Sequence, residues 1–117
     1  MRLAALAAFA DRDNGVCIAD IVEDAGPPRH LRFARPNTPE EGIEVDVLVD
    51  GRHRMLLSIT FRAHPATPLT VRHASGEIDV RTDDAGRVTV AGVSHGLTSV
   101  LLTPLAGESV RTAWVVL

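Results

Sequence analysis

Apolar residues change period once along this chain. Near the start, Leu3, Leu6, Ala7 and Ala10 recur at helical spacing, and Val16, Ile18, Ile21 and Val22 continue an apolar stripe after a break at Asp13-Asn14-Gly15. That spacing predicts a helical segment, with Asn14 suited to cap a second helix and Ala25-Gly26-Pro27-Pro28 ending it. The predicted helical segment covers residues 1–28.

The remainder, residues 29–117, reads as strands. Leu31–Arg35 suits a short strand, and Arg35-Pro36-Asn37-Thr38-Pro39 a loop whose two prolines exclude a central strand. From Gly42 the period is two. Ile43, Val45, Val47 and Val49 alternate with Glu44, Asp46 and Leu48, and Met55, Leu57, Ile59 and Phe61 repeat the pattern. Shorter runs follow at Leu69–Arg72, Glu77–Thr82, Arg87–Val90 and Thr98–Thr103, and Ser109–Leu117 closes the chain. Turn signals at short, regular intervals predict an antiparallel β-sandwich of seven or eight strands. Each strand has one apolar face, which needs a second sheet or the helix to cover it.

Parity selects the loops. A two-residue turn at Asp50-Gly51 would put Met55 and Leu57 on the wrong face. A three-residue loop, Val49-Asp50-Gly51, pairs Val45 with Met55 and Ile43 with Leu57, with Gly51 as a left-handed bulge residue. Asp84-Ala85-Gly86 asks for the same loop, pairing Thr82 with Val88 and Val80 with Val90.

Composition narrows the function classes. The 117 residues are 45% hydrophobic and 23% charged, as in an ordinary globular domain. All 12 cations are Arg, and the net charge of -3 argues against a nucleic-acid-binding module. No apolar run is long enough to span a membrane. The signal-like start, Met1-Arg2 followed by Leu3–Ala10, is shorter than a secretory signal peptide, which favours the helix.

Candidate chemistry is sparse. His30, His53, His64, His73 and His95 show no metal-ligand spacing, and Cys17 alone excludes an internal disulfide. Cys17 reads as a small buried hydrophobe in the helical stripe. Glu77, Asp79, Asp83 and Asp84 lack the distal carboxylate of a calcium loop, and Asp84 suits a turn. Ser75 and Ser94-His95-Gly96 carry no nucleophile elbow and read as polar loop residues. Trp114, in phase with Val110, Thr112 and Val116, reads as a core anchor. Arg62, Arg72, Arg81, Arg87 and Arg111 lie on strands or at their ends. They suit cross-strand pairing, or an arginine-bearing face for an acidic protein surface.

The run Gly76-Glu77-Ile78-Asp79-Val80-Arg81-Thr82-Asp83-Asp84-Ala85-Gly86-Arg87-Val88, continuing through Val90, Gly92, Gly96 and Val100 to Leu102, resembles carboxypeptidase regulatory-like domains, small sandwiches of prealbumin type. Val88 and Val100 stand where that family usually has aromatics. Nearly the whole chain also resembles small actinobacterial proteins encoded beside extracytoplasmic-function-type sigma factors and caspase-like CHAT proteins. The matching segments are Ala4–Ala10, Ile18-Ala19-Asp20-Ile21-Val22, Leu31-Arg32-Phe33, Glu44-Val45-Asp46-Val47, Val71-Arg72-His73 and Arg111–Leu117.

This resemblance implies a non-enzymatic, cytoplasmic accessory or regulatory module without a cofactor. Its implied partner is the sigma factor or the CHAT protein, with an anti-sigma role in view. The contact surfaces expected are Leu3, Leu6 and Phe9 on the helix, and the five strand arginines. An edge strand or the apolar helix also offers a route to a homodimer. The alternative is a secreted or surface-attached sandwich that binds carbohydrate or protein.

Overall fold

A computed structural model describes residues 16–36, 38–50, 54–105 and 107–117. The described chain is all strand. In order, the strands are β1 Cys17–Ala25, β2 His30–Arg35, β3 Thr38–Asp50, β4 Arg54–Thr60, β5 Pro68–His73, β6 Gly76–Arg81, β7 Arg87–Ser94, β8 Leu97–Leu102, β9 Val110–Thr112 and β10 Val115–Val116. The mostly-β expectation is met, with ten strands, the last two very short.

The ladders join these strands in one sheet, in the order β6-β5-β8-β9-β1-β2-β3-β4-β7, with β10 on β8. The sheet rolls into a nearly closed barrel around a single core. Phe33, Ile43, Leu57 and Ile59 enter it from one half, and Leu69, Val71, Val100 and Leu102 from the other. Each fully buried side chain of this size contributes about 1.5–3 kcal/mol. β1 joins the two halves. Its first residues, Cys17 to Ala19, run parallel to β9, while Asp20 to Ala25 pair antiparallel with β2.

β1 corrects the helical expectation over its own length; residues 1–15 lie outside the described residues. Ile18, Ile21 and Val22 have helical spacing but no core behind them, being 38%, 40% and 54% exposed. Their spacing was not a burial signal, and the β-branched run takes the ladder bonds that β2 and β9 offer. Cys17, expected on that helix, is half-buried on β1 instead.

Pro39 lies inside β3, in a stretch where β2 is the neighbour through Arg35↔Thr38 and pairing with β4 has not begun. Its missing N–H therefore costs no bond to β4. The β3–β4 register pairs Val45 with Ile59 and Val47 with Leu57, so the three-residue loop is corrected to a longer connection. A bulge between Val47 and Val49 adjusts the parity, and Ile43, Val45, Leu57 and Ile59 still share the inner face.

The second expected hairpin forms only at its closing pair. Asp83 N donates to Arg87 O at 2.9 Å, and Gly86 is left-handed at φ +78. Beyond that pair the strands diverge: β6 pairs with β5, and β7 with β4. Thr82 N turns instead to Thr67 O at 3.0 Å. The loop is a corner between the two halves of the barrel, because both strands bury apolar faces on opposite walls.

Candidate functional site

β1 and β10 part at a seam where the two halves of the barrel meet. The last bond between β1 and the chain beside it runs from Ala113 N to Ala19 O, 2.8 Å. Beyond it, β10 follows β8, with Val115 opposite Thr98 and Val116 opposite Leu97. β1 leaves in the other direction along β2. The two strands splay, and a cleft of about 740 Å³ opens between them.

Its walls are Asp24 to Arg29 on the β1 side and Leu117 on the other, over a floor of Val47, Leu48 and Met55. The wall at Gly26 is built tightly, since a Cβ there would lie 2.6 Å from Arg29 Cα. Arg29 spans the seam. Its Nε and one terminal nitrogen donate to Asp24 at 3.2 and 3.0 Å, and the other donates to Val116 O. The hydrogen bond from Arg29 holds the Asp24 carboxyl below its usual range. Leu48, in the cleft lining, is exposed, as are Ile21 and Val22 on β1 and Val116 on β10. Scattered exposed apolar residues are ordinary on a protein surface.

Two polar clusters lie elsewhere. On the outer face of β1, β2 and β3, His30 Nδ1 bonds Asp46, while Nε2 lies 3.2 Å from Glu23 and 3.9 Å from Glu44. The Asp46 hydrogen bond raises the His30 pKa against the cost of desolvation, with Glu23 and Glu44 adding to the rise. At one end of the barrel, Arg54 donates to the hydroxyls of Ser75 and Ser94, which lie 2.5 Å apart. Ser94 N donates to His73 Nδ1 at 3.0 Å. Burial lowers the His73 pKa, with the Arg54 charge adding to the effect. The sequence left these two serines as separate loop residues; the fold brings them together, yet His73 spends its acceptor nitrogen on a backbone N–H.

The sequence-predicted contact residues do not form one surface. Leu3, Leu6 and Phe9 lie outside the described residues. Arg62 and Arg87 are exposed on the β4–β7 side, and Arg81 is exposed on β6, in the other half. Arg72 and Arg111 are only 5% and 9% exposed and offer a partner little area. Arg72 Nε lies 3.4 Å from Glu77, and the Arg111 guanidinium lies over the Trp114 ring at 5.8 Å. Trp114 therefore packs beside Arg111 between β9 and β10 and is not part of the central cluster. Cys17 donates to Glu108 at 2.5 Å, beside Arg35, which also binds Glu41 at 2.7 Å. The turn carboxylate is Asp83 and not Asp84: its Oδ1 accepts from Ala85 N and Arg87 N.

Among the described residues, no group of three or more His, Cys, Asp or Glu is arranged to hold a metal ion. Among them, too, no helix is long and apolar enough to cross a membrane. Compared with known proteins, the chain matches no family profile, no characterised protein and no solved structure. Sequence reasoning missed the seam because it assigned Ile18, Ile21 and Val22 to a buried helix face. The β-branched content of Cys17–Val22, bounded by Gly15 and Gly26, was the signal available.

Proposed function

We propose that this chain is a non-enzymatic protein-binding module with a prealbumin-type sandwich ancestry, acting in the cytoplasm as a regulator of a neighbouring sigma factor. The observation that carries the binding reading is the seam between β1 and β10, where a cleft over Val47, Leu48 and Met55 lies between strands that also expose Ile21, Val22 and Val116. Exposed apolar side chains beside a strand edge that is unpaired among the described residues suit association with another chain. The polar clusters are occupied internally: Ser75 and Ser94 bond each other and Arg54, and His30 is held by carboxylates. The resemblance to proteins encoded beside sigma factors supplies the candidate partner.

Co-expression with the neighbouring sigma factor that the resemblance implies tests the reading. A complex of near-equal stoichiometry on size-exclusion chromatography is expected. Clean separation of two folded proteins overturns the sigma-factor assignment.

A further inference from the structure

We propose that the seam between β1 and β10 is a slot for an extended peptide segment of a partner protein, one that alternates basic and apolar residues and adds to the sheet along Asp20–Ala25. This rests on the protein-binding reading and gives its partner a chemistry.

The backbone is prepared for such a strand. Among the described residues, Asp20–Ala25 pairs with β2 on one side only. Peptide groups alternate sides along a regular strand, and β1 is regular against β2 as far as Ile21, with a register shift between Ile21 and Glu23. Ile21, two residues beyond Ala19, therefore turns its N–H and C=O to the side on which Ala19 takes the bond from Ala113. On the facing wall, Leu117 exchanges both its bonds with Gly96, so Val116 turns its groups into the seam. Arg29 occupies the Val116 carbonyl there. An entering strand meets the Ile21 groups on one wall and the Val116 N–H on the other, and main-chain bonds would supply its affinity.

Side chains select the occupant. Exposed apolar anchors are Ile21 and Val22 on β1 and Val116 on β10, and the cleft floor adds Val47, Leu48 and Met55. Charge decides between a second copy and a different chain. β1 carries Asp20, Glu23 and Asp24. Two copies of this strand would bring two acidic edges together, a destabilising like-charge arrangement. A net charge of -3 works against self-association as well. Asp24 is already held by Arg29 and Glu23 lies 3.2 Å from His30, so a segment bearing Arg or Lys meets opposite charge chiefly at Asp20, and its apolar residues meet Ile21 and Val22.

The test titrates the full isotope-labelled chain with synthetic peptides of about ten residues, a typical strand length or more. One alternates Arg with Val and the other Glu with Val. The Arg–Val peptide is expected to bind, shifting amide signals along Asp20–Ala25 and Val115–Leu117. The Glu–Val peptide is expected to bind at least about tenfold more weakly. Val22 is exposed, so Val22→Lys keeps the fold, verified by circular dichroism, and weakens Arg–Val binding by about tenfold. Asp20→Lys weakens it by about threefold, the scale of one cross-strand charge pair.

Equal binding of both peptides, or shifts confined to other strands, overturns the proposal. So does a concentration-dependent dimer that protects the Ile21 amide. Slow exchange of the Ile21 and Val116 amides in the free chain overturns it too, because the seam would then be filled by the chain itself. A sigma-factor complex that survives Val22→Lys overturns the slot and leaves the protein-binding reading standing. Peptide binding without a sigma-factor complex does the reverse.

Discussion

His30 and Asp46 face each other directly across β2 and β3, and the imidazole Nδ1 bonds the carboxylate. Because this bond raises the His30 pKa above its usual value, its contribution to stability is complete below about pH 6.5. It is lost as pH rises through the raised folded value. Both side chains are partly solvated, so the contribution is under about 1 kcal/mol. Asp46→Asn is expected to lower the His30 pKa in an NMR titration and to flatten the fall in unfolding free energy above neutral pH. An unchanged His30 titration would show that Glu23 and Glu44 suffice.

Gly86 and Gly92 are both left-handed, at φ +78 and +76, but their surroundings differ. A Cβ on Gly86 would lie 2.4 Å from Phe61 O, whereas nothing lies within 4 Å of one on Gly92. Gly92→Ala should cost about 1 kcal/mol, the backbone penalty alone. Gly86→Ala should cost about 3 kcal/mol or more, because the corner must shift away from Phe61. Urea unfolding of the two variants side by side measures the difference, and equal midpoints would refute it.

Thr82 is buried, and its Oγ1 accepts from Thr67 N at 2.8 Å. Thr82→Val keeps the shape and removes the acceptor. A buried N–H left without its partner costs about 1–3 kcal/mol. Thermal unfolding reads this, together with faster amide exchange at Thr67; unchanged exchange there would sink the assignment.

Asp83 is exposed and holds its corner through two backbone N–H groups, at 2.9 and 3.0 Å. Asp83→Ala is expected to cost about 1 kcal/mol, by analogy with a lost helix cap. Asp84→Ala, one residue on, should be near neutral. Equal losses at the two sites would contradict the geometry.

The strands from Ile43 to Leu102 were legible because period-two burial is a local property. Ile43, Val45, Leu57 and Ile59 face inward in the alternation their sequence shows. Pairing is not local. The Asp83–Arg87 closing pair was readable from Gly86, but nothing near it specifies that β6 belongs to β5 and β7 to β4. β1 misled for a related reason: a sequence displays apolar residues without displaying whether a core stands behind them. Arg72 and Arg111 occupy outward strand positions and are nonetheless buried. Strand phase reports which way a side chain points, not what lies over it. The seam arises where β9 and β10 stay with β8 while β1 follows β2, a choice made by residues distant in sequence.

Cys17 pairs in parallel with Val110, so the first described strand waits for nearly the last. During synthesis β1 can join β2 as soon as both have emerged, but its other neighbour is not yet made. Contacts of such sequence separation carry a large loop-closure cost and form slowly. Barrel closure is therefore a late event in folding, and until then the edge of β1 is open along its whole length. A chain synthesised only as far as β8 would leave Cys17, Ile18 and Ala19 unpaired on that side, the state in which a nascent sheet is most prone to join a neighbour.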